Sequence, residues 1–516
     1  MKSKKLLFKI TGAVSAIVIS FGVVFGLALT GKTSLYIDFD HPKQTISYAN
    51  TPTTTKWNGS GTPDPFSIAG PGENAVDQQT SPQNKYNYSA LCVDGANHQV
   101  LDQSFNQSGY QGLVDWTWTN GWYDSDRKPV SPLESPSSTW NNTRGSAYGT
   151  QPTTDNTSDF WKTYATLIES GRKSLILPGY LHQSGLDTFY KQDKNLYKTA
   201  GYILLDANIP ENEDHVALSE AYKNVASIVF RADEAAFMSG IATCQYLNDN
   251  FDEYHKDGSL SVGTFGGLNI PTVTIYMGGF EQGIIAWNNN VEAIAKKEGW
   301  NNPDQHKVNF INLGKMDSYF SNSFSIGDGK PMAAALLQRG ADAILPVAGT
   351  QSIDAVKEIQ SYKSNCIVVG IDTMQELDMN VNGRSIYTDT KGNSDVIKFS
   401  ATKNISSITS QILSLSYAGL PNDSTLNDSG ETKVGSYGYL TVADIRNNGV
   451  SSSEPSLPYL EKFILSVFPG VIPPGPEEDL SQWVIDQLSN LQIPGALEPT
   501  NYFTWLSLPE NMVFRI

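Results

Sequence analysis

The chain has 516 residues and only three cysteines, Cys92, Cys244 and Cys366, each inside an apolar segment and far from the others. That spacing excludes a disulfide framework or a CxxC metal site and predicts buried thiols. Histidine is scarce too: His41, His98, His182, His215, His255 and His306 include no pair at metal-ligand spacing, so no metal is expected. Basic residues are outnumbered, 36 Lys and Arg against 53 Asp and Glu, and a net charge of −17 argues against nucleic acid as a partner. No GxSxG, HExxH or Cys–His constellation is present, so the chain is not expected to be an enzyme. Gly26 to Thr33, GLALTGKT, matches the P-loop expression but straddles the end of an apolar run, with no strand before it. The chain is therefore not its own ATPase, and no cofactor is implied.

The basic start Met1 to Lys5 is followed by an unbroken apolar stretch, Ile10 to Leu29, long enough to cross a bilayer. No small-x-small cleavage site follows it, which favours an uncleaved anchor over a cleaved signal, with a cytoplasmic amino end. Residues 1–33 are expected to be this signal or anchor segment. Residues 34–86, rich in Thr, Pro, Gly, Asn and Gln, read as a low-complexity spacer from membrane to domain.

The segment around which the remainder is organised is Leu91 to Leu113, LCVDGANHQVLDQSFNQSGYQGL. An apolar strand empties into a polar turn and a helix start, placing Asp94, Phe105 and Asn106 where open α/β sheets bind small ligands. An aromatic face stacks on a flat ring, Asn both donates and accepts, and a carboxylate accepts from ligand donors. An ordinary strand–loop–helix corner, with Phe105 filling the core, is the alternative. Aspartates recur at other expected strand ends, Asp206 after GYILL and Asp372 after CIVVGI. Strands alternating with helices along the span predict doubly wound parallel sheets.

The pattern Asp94, Asp102, Ser104, Phe105, Asn106, Gln107, Gly112 (D…DxSFNQxxxxG) resembles the opening signature of the basic membrane protein (BMP) family. These are substrate-binding components of ABC importers, related to bacterial purine nucleoside receptors. Further landmarks recur in the family's order over residues 87–419: EAAFMSG at Glu234 to Gly240, SVGTFGG at Ser261 to Gly267, and GDGKPMAAAL after Phe324. The resemblance implies an α/β fold of two doubly wound lobes, a type I periplasmic-binding-protein or Venus-flytrap architecture, closing around a ligand. It also implies roles. Phe105 and Phe324 would sandwich a base, with Tyr319 and Phe320 as rivals to Phe324. Asp206 would bond the base, and Asp372 and Lys403 would hold the ribose hydroxyls. Ala341 to Thr350, ADAILPVAGT, reads on its own residues as a buried strand with a Gly349 turn whose backbone can approach a ligand. A plain Asp–Lys ion pair at the lobe hinge is the alternative for Asp372 and Lys403.

Family members are commonly lipoproteins tethered by a cysteine after the apolar stretch; this chain has none before Cys92, and a hydrophobic anchor would do the same job. Residues 116–160, with Trp116, Trp118, Trp122 and Trp140, read as an insertion foreign to the family. Ser261 to Gly283 is read as a strand and Gly-rich turn crossing into the second lobe, and Lys398 to Asn404 as a turn opening a helix. Residues 420–516 are expected as a C-terminal extension, with a last strand near Tyr437 to Val442. Its helix EEDLSQWVIDQLSNL aligns Leu480, Trp483, Val484, Leu488 and Leu491 on one docking face. The expected function is nucleoside capture outside the membrane for ABC permease and ATPase subunits. A surface adhesin or structural protein, and less readily a nucleoside hydrolase, are the other classes.

Overall fold

The computed structural model describes residues 89–120, 149–210, 219–381, 384–385, 396–493 without 416–438, and 496–507, with short interruptions, and residue 514. The amino-terminal apolar segment, the spacer, and Trp122 and Trp140 of the insertion lie outside the described residues. Among the described residues no helix is long and apolar enough to cross a membrane.

Runs of β-branched and apolar residues form two six-stranded sheets. The first is built from β1 (Ser89–Cys92), β2 (Gly149–Thr150), β3 (Ser174–Pro178), β4 (Gly201–Leu205), β5 (Val225–Phe230) and β13 (Tyr439–Ala443). Its order is β13-β5-β4-β3-β1-β2, and every pairing is parallel. The second contains β6 (Leu260–Gly266), β7 (Val308–Phe310), β8 (Ala343–Val347), β9 (Ile367–Asp372), β12 (Ile397–Lys403) and β14 (Val450–Ser452). Its order is β14-β12-β9-β8-β6-β7, parallel except for the β12–β14 pair. The short strands β10 (Asn380–Val381) and β11 (Arg384–Ser385) pair only with each other. Strand order reverses between β1 and β3 in one lobe and between β6 and β8 in the other, which puts two switch points at the carboxyl ends of strands.

The chain passes between the sheets three times: between β5 and β6, between β12 and β13, and between β13 and β14. The first passage is helix α1 (Ala232–Asp249), whereas the sequence reading placed it at Ser261 to Gly283. Those residues instead complete β6 and enter the long helix α2 (Pro271–Glu298). The glycines read as a turn lie inside α2 because two helices cross there. A methyl on Gly279 would overlap the carbonyl oxygen of Asp233, one on Gly283 that of Phe237, and one on Gly240 that of Phe280. This close approach explains the small-residue character of EAAFMSG.

Two further expectations change. Residues 398–403 are the end of strand β12, and the helix α3 (Ile405–Leu415) starts only after Lys403. The segment after 420 is woven into the domain, because β13 extends the first sheet beside β5 and β14 the second beside β12. Its helix α4 (Leu480–Asn490) buries Val484 and Leu488, in keeping with the docking face read from the sequence. The insertion also has different limits: helix α5 (Phe105–Asn120) includes 116–120, and β2 rejoins the sheet at 149.

The hinge carries a buried ion network. Arg231, 1% exposed, donates to both carboxylate oxygens of Asp233 at 2.8 and 2.7 Å and to the Ser507 hydroxyl at 3.2 and 3.1 Å. Glu234 accepts from the backbone N–H of Ile445 at 2.9 Å, tying the first passage to the third. All three cysteines are buried and free.

Candidate ligand cleft

The eight residues singled out from the sequence, Asp94, Phe105, Asn106, Asp206, Phe324, Gly349, Asp372 and Lys403, all line one cavity of about 320 Å³ at the switch points of both lobes. That volume is at the small end of the range for ligand pockets. Asp94 follows β1, Asp206 follows β4 and Asp372 ends β9, so three carboxylates reach the cleft from separate strand ends. Asp206 and Asp372 adopt the left-handed region, with φ of 59° and 62°. Asp tolerates that conformation better than most residues, and such strain clusters where ligands bind.

Lys403 joins the lobes. Its ammonium donates to Asp206 at 2.7 Å and lies 3.5 Å from Asp372. It also sits 4.9, 5.4 and 5.7 Å from the ring centroids of Tyr276, Phe105 and Phe230. Burial disfavours its charge, but the carboxylates of Asp206 and Asp372 outweigh burial and hold its pKa above the ordinary lysine value. The resemblance assigned Asp206 and the Asp372–Lys403 pair to different parts of a ligand; in the structure one ammonium serves both carboxylates.

Asp372 is fixed on its other sides. The Ser104 hydroxyl donates to Oδ2 at 3.1 Å from across the cleft, and the Tyr276 hydroxyl lies 3.2 Å from Oδ1. Tyr276 accepts from the Asp372 backbone N–H at 3.2 Å, and its proton is shared between Oδ1 and the Ala401 carbonyl, also at 3.2 Å. Burial, reinforced by the Asp372 charge, pushes the Tyr276 pKa well above its usual value, so the phenol stays a donor.

The amino end of α5 is set by Asp102, whose carboxylate accepts from the backbone N–H groups of Ser104, Asn106 and Gln107 at 3.0, 3.0 and 2.9 Å. Capping of this kind satisfies donors that a helix start leaves free. Burial pushes the Asp102 pKa up to about 6 despite these bonds. The cap delivers Phe105, half-buried at the cavity wall, and Asn106, whose buried Oδ1 has no hydrogen-bond partner among the described residues. Phe105 is thus at the cavity, where the sequence had left a core plug open.

Phe324 approaches from the other lobe on a loop pegged from beneath. Gln351 donates to the carbonyls of Ser323 and Ser325 at 2.8 and 3.1 Å, and Asp354 accepts from the N–H of Gly327 and Gly329 at 2.6 and 3.1 Å. The rivals fall away: Tyr319 and Phe320 are core residues, with Tyr319 packed edge-on against Phe514. Gly349 follows β8 with φ of 57°.

Seven polar lining residues escaped the sequence reading as site residues: His98, Asp102, Tyr180, Thr272, Tyr276, Ser325 and Thr350. Asp102 had a local signal, an Asp placed to cap the helix that begins at Phe105. Tyr276 had none, because only the packing of α2 brings it to β9. Among the described residues no group of three or more His, Cys, Asp or Glu is arranged to hold a metal ion.

Comparison with known proteins gives relatives of modest identity. The uncharacterized lipoprotein MG040 homolog of Mycoplasma pneumoniae is 26% identical over 425 residues, 72% of this chain and 62% of that protein, so the match spans under two thirds of the relative's length. The uncharacterized lipoprotein MG040 of Mycoplasma genitalium is 25% identical over 72% of this chain and 68% of its own. The ABC transporter nucleoside-binding protein BmpA of Lactococcus lactis is 25% identical over 58% of this chain and 67% of its own. A solute-binding protein from Aeropyrum pernix matches in structure at a TM-score of 0.46 and 16% identity, over 82% of this chain and 90% of that one. Residues 90–308, less than half of the chain, match the Bmp family model, described as ABC transporter substrate-binding protein PnrA-like.

Proposed function

We propose that the chain is the extracytoplasmic substrate-binding component of an ABC importer, held at the outer face of the membrane by its amino-terminal apolar segment, and that it captures a nucleoside, purine-type, between its lobes. The observation that carries this reading is the pairing, in one cavity, of two rings from opposite lobes with a carboxylate–ammonium–carboxylate bridge. Phe105 and Phe324 stack on the base. Asp372 and Lys403 take the ribose diol, since a carboxylate oxygen already accepting one bond has a second lone pair for a hydroxyl. Asp206, Asp94 and the unpaired Asn106 Oδ1 receive donors on the polar edge of the base, and Gly349 lets backbone come close. The name of the Lactococcus relative, a nucleoside-binding protein, supports the ligand class, and those of the Mycoplasma relatives, lipoproteins, support attachment to a membrane. Permease and ATPase subunits are the partners this role requires.

Calorimetry of the full chain in detergent against nucleosides, free bases and sugars, with product analysis of the same samples, tests the reading. Binding of a nucleoside without cleavage is expected. Phe105→Ala should weaken it at least about tenfold through lost stacking and burial, and Asp372→Ala about ten- to a hundredfold through lost charged hydrogen bonds. Absence of nucleoside binding would leave an adhesin; steady release of free base would make the protein a hydrolase.

A further inference from the structure

We propose that His98 is a specificity-determining residue of the cleft: anchored to Asp94 through Nδ1, it reads a polar group of the bound ligand with Nε2. The inference rests on the nucleoside reading above and narrows it to the chemistry of the base.

His98 lines the cavity wall on the loop between β1 and α5, and its Nδ1 is 2.7 Å from Asp94 Oδ1. The ionised carboxylate has no proton to offer, so Nδ1 carries the hydrogen and donates it. That fixes the tautomer and leaves Nε2 as the group whose character changes with protonation, a bare acceptor in the neutral ring and a donor in the imidazolium. The side chain is 30% exposed, open enough to be met by a ligand entering the cleft.

The polarity of the cavity makes this donor matter. Four carboxylates line it, Asp94, Asp102, Asp206 and Asp372, and the Asn106 Oδ1 adds a further acceptor. The lysine that lines it is engaged by Asp206 and Asp372. A wall so rich in carboxylates receives ligand N–H and O–H groups readily, and the other donors along it, the Asn106 amide and the hydroxyls of Tyr180, Thr272, Ser325 and Thr350, are neutral. The His98 imidazolium adds a charged donor for a ligand carbonyl. A base with an oxo group opposite Nε2 is favoured by the charged ring, and one with an amino group there by the neutral ring.

The charges facing His98 come from several elements: Asp94 after β1, Asp102 at the α5 cap, Asp155 after β2, and His182 at the start of the helix Leu181–Gln192. The Asp94 hydrogen bond raises the His98 pKa most, burial opposes it, and the charges of Asp94, Asp102 and Asp155 add to the rise. His182 is held neutral by burial, its pKa lowered to about 4. Burial pushes the Asp102 pKa up to about 6, within the pH range tested below, so the wild-type pH profile alone does not isolate His98.

The test is the ratio of inosine to adenosine affinity of the full chain between about pH 5.5 and pH 8.5, for the wild type, His98→Ala and His98→Gln. The wild-type ratio is expected to rise about tenfold as the medium is acidified, in keeping with one gained charged hydrogen bond. Both variants should bind both nucleosides with a ratio that no longer changes with pH, and two substitutions guard against the misfolding of one. A ratio independent of pH in the wild type, or the same rise persisting in both variants, overturns the inference while leaving nucleoside binding intact. Failure of the wild type to bind either nucleoside at any pH overturns the nucleoside reading and this inference with it.

Discussion

Replacing Lys403 by Met removes the ammonium while keeping most of the side-chain volume, and leaves Asp206 and Asp372 facing each other in a buried cleft. The ammonium lies 2.7 Å from one carboxylate and 3.5 Å from the other. At an effective dielectric constant of about 20 these separations correspond to attractions of about 6 and about 5 kcal/mol. Burying all three charged groups offsets much of that, and the net loss on removing one partner of such a cluster is about 3–5 kcal/mol. Urea unfolding followed by circular dichroism at pH 7 should therefore show Lys403→Met destabilised by that amount. The deficit should depend on pH with a definite sign. Burial already holds the folded pKa of Asp206 above its ordinary value of 3.8 against the opposing Lys403 charge, and without the ammonium it rises further. Such a group contributes stability that is present below the ordinary value and lost as pH rises through the folded one. The deficit should thus be largest at neutral pH and shrink toward pH 4, and Asp206→Asn in the same chain should restore part of it. A loss below about 1 kcal/mol at pH 7, or one independent of pH, would refute the reasoning that one ammonium neutralises both carboxylates.

The crossing of α1 and α2 makes Gly279→Ala a test of sign. Alanine normally stabilises a helix interior by about 0.5–1 kcal/mol over glycine, but here its methyl would overlap the Asp233 carbonyl, so a loss of about 1–3 kcal/mol in thermal or urea unfolding is expected. His182, buried and bonded through Nδ1 to the Tyr164 hydroxyl at 2.6 Å, has its pKa lowered from 6.5 to about 4 by burial. A depressed histidine contributes stability that is full above 6.5 and is lost as pH falls toward 4, on the order of 3 kcal/mol in all. Urea midpoints measured from pH 7.5 to pH 4.5 should fall less steeply in His182→Gln than in the wild type.

Much of the cleft was legible in linear order because its residues sit at the carboxyl ends of strands, and strands announce themselves locally. Apolar runs such as GYILL and CIVVGI end in Asp206 and Asp372, and the Asp102–Ser104–Phe105 pattern marks a capped helix start whatever the fold around it. The same local logic misled at Gly279 and Gly283, where glycine serves helix-to-helix contact and not a turn. After residue 420 it found the strand near Tyr437 to Val442, seen as β13, but not its place in the first sheet, because which sheet a strand joins depends on edges left open elsewhere in the chain.

By itself, then, the sequence determined the alternation of strands and helices, the apolar setting of the cysteines, and Asp94, Phe105, Asn106, Asp206, Gly349 and Asp372 near strand and helix ends, all set by short-range periodicity and capping, whereas Phe324 and Lys403 were marked by the family resemblance. Tertiary structure alone decided that Lys403 stands between Asp206 and Asp372, separated from Asp206 by 197 residues. It also decided that Tyr276 buttresses Asp372, that Phe324 rather than Tyr319 or Phe320 faces the cavity, and that His98 shares the wall with Asp94. Charge pairing and close packing act over a few ångströms in space, and no local periodicity records which distant segments the closing of two sheets brings within that reach.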